Sequence, residues 1–110
     1  EISVSNLSSK FESTLVTGIP AKQNYTDKEF KDMIIDFQEW KKIRMIGSAA
    51  MASVYVASGK AETYKENGIF LWDIAAGAAI VNAAGGLTSI ENLQPDFRVD
   101  AKFTNSNLGQ

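Results

Sequence analysis

The sequence predicts an α/β fold, a layered arrangement of sheet and helix, and three observations carry the prediction. A helix with a capping box stands early in the chain, a helix built almost wholly of small residues stands late, and short strand-like runs lie between and beyond them. Strands that alternate with helices bury their apolar faces against one another in layers.

Taken in order, Glu1–Ser5 "EISVS" alternates as a strand, and Glu12–Thr17 "ESTLVT" forms a second strand stopped by "GIP". Thr26 followed three residues later by Glu29 is a capping box, which predicts a helix over 27–42. Phe30, Met33, Ile34, Phe37 and Trp40 fall on one face of it and are expected to pack in the core. "KIRMIG" at 42–47 reads as a short strand. Ser48 is then the N-cap of a helix "AAMASVYVAS" that ends at Gly59. "AETYKE" at 61–66 alternates as a strand. A helix from Ile74 to Ala84 is closed by Gly85 and Gly86, and "LTSI" and "FRVDAKFTN" are the last strands.

Composition narrows the chemistry. The chain has 110 residues, 45% hydrophobic and 22% charged, which is the balance of a globular protein and the length of one domain or a piece of a larger one. A net charge of −2 offers no electrostatic case for nucleic acid or an anionic membrane surface. No run approaches the roughly 20 apolar residues that span a bilayer. Cysteine is absent, which removes disulfides, thiolate zinc sites and thiol nucleophiles; histidine is absent too, and with it the Ser-His-Asp triad. Catalysis here has to rest on carboxylates, hydroxyls, lysines or a metal held by oxygen.

One acid stands out. In "GIFLWDIAAGAAIVNAAGG", Asp73 precedes a run of alanines and glycines. An N-cap is the plain role for it, since a carboxylate accepts a helix-start N–H and meets the positive end of the dipole. A carboxylate at a helix N-terminus also suits a Mg²⁺–phosphate site, and the small side chains let another backbone approach closely. Arg44 stands two residues ahead of "GSAA", where a strand meets a helix, and Glu66 ends a strand seven residues before Asp73. Singly, these would be a surface ion pair, a cap and a solvated acid.

Together they form a pattern. "RMIGSAAMASVYVASGKAETYKENGIFLWDIAAGAAIVNAAGG" resembles the C-terminal half of the inositol monophosphatase family, with Arg, Gly-Ser-Ala-Ala, "YVA-x-G", a strand ending in Glu and "WD-x-AAG" in the family's order. The likeness extends to "ISVSNLSSKFESTLVTGIP" and "FTNSN", covering nearly the whole chain. It implies a sheet-and-helix domain like the C-terminal half of that family's αβαβα sandwich, and a Mg²⁺-dependent phosphomonoesterase in which a metal-activated water attacks phosphorus. By the same resemblance Asp73 is a metal ligand near the substrate and a catalytic residue. Gly47, Ser48 and Ala49 match a substrate-contacting turn, Glu66 an acid on polyol hydroxyls, and Arg44 an arginine of the pocket or its packing.

The chain departs from the family at three places: Met51–Ala52 replace Leu-Asp, Lys65 precedes Glu66 in place of Trp, and Asn82 replaces an acid. The family's upstream Glu-Glu pair and its Asp-Pro-Ile-Asp-Gly-Thr-like loop have no counterpart. Residues 1–110 are therefore expected to be one C-terminal-half domain, without the family's last helix, inactive alone and partnered by an N-terminal half. The expected setting is a cytoplasmic homo-oligomer, a dimer, that binds a phosphorylated small molecule and neither nucleic acid nor membrane. The expected substrate is inositol phosphate or a related sugar phosphate. A nucleotide 3′-phosphatase, a fructose-bisphosphatase-type relative and a non-catalytic interaction module are the alternatives.

Overall fold

The computed structural model describes residues 2–18 and 26–107. After a short 3-10 turn at Lys10–Glu12 come β1 (Thr14–Thr17), α1 (Asp27–Phe37), β2 (Lys42–Met45), α2 (Ala49–Ala57), β3 (Thr63–Phe70), α3 (Leu71–Ala83), β4 (Leu87–Glu91) and β5 (Arg98–Thr104). The strands form one mixed sheet in the order β2-β1-β3-β5-β4. β1 is parallel to both β2 and β3, while β5 is antiparallel to β3 and β4. The expected α/β layering is present.

The three parallel strands decide where a site can form. β1–α1–β2 steps one way along the sheet and β2–α2–β3 steps back across β1. Right-handed crossovers then place α1 and α2 on opposite faces, leaving a crevice at the carboxyl ends of the strands. Side chains agree: Lys65 reaches Asp36 of α1 at 2.6 Å, whereas Tyr64, next to it in β3, faces the other way into the core. That core lies between the sheet and α2/α3, with Val16, Val56, Tyr64, Ile74, Val81 and Phe103 fully buried or nearly so. The Tyr64 and Phe103 rings meet edge to face, 5.6 Å between centroids. The small-residue helix earns its composition here: a Cβ on Gly77 would strike Ser53 Oγ and stand 2.6 Å from Ser53 Cβ on α2.

Four expectations change. No strand forms over 2–5; Val4 N–H donates to Ala84 O at 3.1 Å, so this segment lies along the end of α3 instead of at a sheet edge. The capping box is formed, with Glu29 N–H on Thr26 Oγ1 at 3.1 Å and Thr26 N–H on Glu29 Oε1 at 3.0 Å. Its helix nevertheless ends at Phe37, because Lys41 N–H is drawn to Lys10 O and Ser13 O and the chain turns into β2 beside β1. The aromatic stripe is not core: no α1 residue is buried, and Phe30 and Ile34 are half exposed, although Trp40 beyond the helix is buried. Finally, α3 starts at Leu71, not Ile74. Leu71 N–H donates to Phe97 O at 2.8 Å, so the β4–β5 loop supplies an acceptor for the first of the helix-start amides. Glu1, the Ile19–Pro20 stop and residues 108–110 lie outside the described residues. Among the described residues no helix is long and apolar enough to cross a membrane.

Candidate functional site

A cleft of about 750 Å³ opens at the carboxyl end of the parallel strands. Gly47, Ser48, Ala49, Glu66 and Asp73 all line it, so five of the six residues singled out from the sequence come together. Arg44 does not line it; it stands exposed on β2, paired in register with Val16.

Two helix starts face this space. Ser48 caps α2, its Oγ accepting Met51 N–H at 3.2 Å. Asp73 is in the first turn of α3 but is not its cap, since Phe70 holds that position with no side-chain bond. The expectation of a capping Asp73 is thus corrected. A carboxylate in a first turn still meets the positive end of the helix dipole, and an anion entering the cleft meets two such ends.

Glu66 is set from three sides. It lies within β3, before an irregularity in the β3–β5 register, and does not end the strand. Tyr64 Oη donates to its Oε1 at 2.8 Å. Gly18, just after β1, leaves it room: a Cβ there would come within 2.6 Å of Oε1. Burial pushes the Glu66 carboxyl above the usual carboxylate range, the Tyr64 bond pulls it back, and the Asp73 charge raises it further. Burial, with the Glu66 charge second, pushes the Tyr64 phenol up as well, so it remains a donor.

The departures from the family pattern sit away from the cleft. Lys65 points to the opposite face, toward Asp36, as neighbours in a strand must. Ala52 is buried in the core, and Asn82, in the last turn of α3, accepts from Thr88 Oγ1 at 3.1 Å.

Three contributors escaped the sequence reading. Gly18 and Tyr64 act on Glu66 through space, and only the pairing of β1 with β3 brings Gly18 near. Arg98 also lines the cleft, its guanidinium 5.2 Å from the centre of the Phe70 ring. An arginine opening a strand carried no signal of this. Its Nε is 3.4 Å from Asp96 Oδ2 without making a hydrogen bond.

Among the described residues no group of three or more acidic, histidine or cysteine side chains is placed to hold a metal. The donors present do fit a share in one. Two carboxylates line a single cleft, Glu66 is raised in part by Asp73, and a hard divalent cation takes oxygen ligands of this kind.

A sheet with helices on both faces and an acid-lined cleft beside two helix starts is the framework of an α/β protein with its candidate site at the carboxyl ends of the parallel strands. Comparison with known proteins places it: the inositol monophosphatase family matches residues 1–105, and the chain belongs to that family. The inositol-1-monophosphatase of Synechocystis sp. is 37% identical over 95 residues, covering 86% of this chain and 33% of that protein. The Nus factor SuhB of Pasteurella multocida is 45% identical over 74 residues, 66% of this chain and 28% of that protein. Among solved structures, the inositol monophosphatase from Anabaena superposes with a TM-score of 0.80 at 31% identity, over 98% of this chain and 45% of that one. The Thermotoga maritima enzyme gives 0.76 at 31%, over 96% and 41%. The chain thus spans about a third of the length of these curated relatives.

Proposed function

We propose that this chain is the C-terminal half of a Mg²⁺-dependent phosphomonoesterase acting on inositol phosphate or a related sugar phosphate. The observation that carries the reading is the meeting of Glu66, Asp73 and the Gly47–Ala49 turn in one cleft beside the starts of α2 and α3. The helix starts hold the phosphate by their free N–H groups and dipoles. Tyr64 occupies Glu66 Oε1, which leaves Oε2 to accept from a hydroxyl of the substrate and orient the alcohol. Asp73 would hold Mg²⁺ together with ligands of the upstream half; the ion supplies Lewis-acid polarisation of the phosphoryl group.

In this reading the 110 residues alone are inactive, the upstream half is the first partner, and the assembled protein is a cytoplasmic homo-oligomer. Fructose-bisphosphatase-type and nucleotide 3′-phosphatase specificities are the nearest variants. A second reading, a non-catalytic interaction module, draws on the relative named as a Nus factor.

The test is phosphate release from inositol 1-phosphate, with and without Mg²⁺, by this chain and by the complete protein, each beside its Asp73→Asn variant. The expected result is a silent 110-residue chain and Mg²⁺-dependent release by the complete protein that Asp73→Asn abolishes. A complete protein inactive on every phosphomonoester would favour the interaction role.

A further inference from the structure

Along β3, Glu66 pairs with Ala101 and Ile69 with Val99, so Asn67 and Gly68 together stand opposite Asp100 alone. This is a β-bulge, and Gly68 adopts φ +72 in it, a conformation that costs glycine little. A bulge leaves a strand amide without its ladder partner. Here Gly68 N–H donates to Asp100 Oδ1 at 3.1 Å. Asp100 Oδ2 in turn accepts from Asn92 Nδ2 at 2.7 Å. Asn92 itself holds φ +57, which asparagine tolerates better than most residues.

The bulge sets side-chain parity. Strand side chains alternate, so in an unbulged strand Glu66 and Ile69, three positions apart, would face opposite sides of the sheet. With it, both face α2 and α3: Ile69 packs on the core while Glu66 lines the cleft. β3 then runs directly into α3, so the bulge also sets the spacing between Glu66 and Asp73. Asp100 is not among the residues lining the cleft and reaches it only through the backbone it holds.

We propose that Asp100 is a positioning residue. Its carboxylate locks the Asn67–Gly68 bulge to the β4–β5 loop and so fixes Glu66 for recognition of hydroxyls on the substrate alcohol. This rests on the role given to Glu66 under the proposed function. A carboxylate is suited to the task because its two oxygens accept from two donors at once, one on each strand segment.

The test compares kcat/KM of the complete protein on inositol 1-phosphate, which offers hydroxyls to Glu66, and on p-nitrophenyl phosphate, which offers none. Asp100→Ala is expected to lower the inositol-to-nitrophenyl ratio about tenfold, chiefly through KM for the inositol substrate. Asp100→Asn keeps an acceptor for Gly68 and, with the Asn92 amide turned over, a bond to Asn92, so it restores the ratio. Asn92→Gly keeps the left-handed backbone and removes only the bond to Oδ2; it shifts the ratio the same way by less, and it stands in if Asp100→Ala does not fold. Equal losses on both substrates, or no change in the ratio, overturn the proposal. Glu66→Gln is measured alongside. If it shifts the ratio while the Asp100 and Asn92 variants do not, the positioning role fails and the role of Glu66 stands. If Glu66→Gln leaves the ratio alone, the role of Glu66 fails and takes the proposal with it.

Discussion

The Glu66 carboxylate fills the space that a side chain at Gly18 would need: a Cβ on Gly18 would lie 2.6 Å from Oε1 and 2.9 Å from Cδ. Two strands that pair in parallel thus share one volume, bare backbone on β1's side and a carboxylate on β3's. The obstruction is the far end of a flexible side chain, so the fold can yield where the site cannot.

Gly18→Ala should therefore separate stability from activity. The carboxylate swings away and loses the Tyr64 bond, which lowers kcat/KM on inositol 1-phosphate in the complete protein. The melting temperature should move little, as for substitutions outside the core. Full activity in the variant would mean that the Glu66 position is not used.

The raised pKa of Glu66 has a consequence for stability against pH. The folded state holds the proton more tightly than the unfolded chain, so the group is neutral in both states at low pH and contributes no penalty there. As pH rises past the ordinary carboxylate value, ionising the half-buried group costs stability. Glu66→Gln should raise the melting temperature at neutral pH in chelator and leave it unchanged at acid pH. Stabilisation that persists equally at acid pH would refute burial of the charge as the cause.

Gly77 allows α2 and α3 to touch. Gly77→Ala should cost about 1–3 kcal/mol, the usual penalty for overpacking, since the new methyl meets Ser53 Cβ as well as Oγ and turning the hydroxyl clears only the latter. Ser53→Gly in the same chain should recover much of the loss in chemical denaturation. A double variant as unstable as Gly77→Ala alone would place the strain elsewhere.

Asp73→Asn tests the acid without disturbing a cap. Because Asp73 is not the N-cap of α3, loss of the charge should cost no more than about 1 kcal/mol of dipole interaction. Mg²⁺-dependent phosphate release by the complete protein should fall about a hundredfold or more. A variant that retains turnover would remove Asp73 from the reaction.

Elements whose signals are local were legible in the chain. The Thr26–Glu29 box and the Ser48 cap each need only residues within one turn, and both are formed. The Gly77 contact was also anticipated by a run too small to pack any other way. The start of α3 was not legible, because its acceptor is the carbonyl of Phe97, far along the chain. Nor was the exposure of the α1 stripe: periodicity identifies an apolar face but does not say what covers it. The site divides the same way. Asp73, Glu66 and the Gly47–Ala49 turn were identified as a set from the family resemblance. Gly18 and Tyr64 fall within the stretches that resemble the family, but nothing in the sequence ties them, or Asp100, to Glu66.

By itself, then, the sequence determined the α/β alternation, the Thr26 and Ser48 caps and the absence of thiol and imidazole chemistry from this chain, while the family resemblance grouped the acids. These depend on composition and on interactions spanning three or four residues. Only the tertiary structure decided that Asp73 is not a cap, that Arg44 stands outside the cleft, and which way Glu66 points. Each of those depends on strand pairing and on one bulge. There a single extra residue reverses the faces of a strand, and a partner more than thirty positions away, Asp100, closes it.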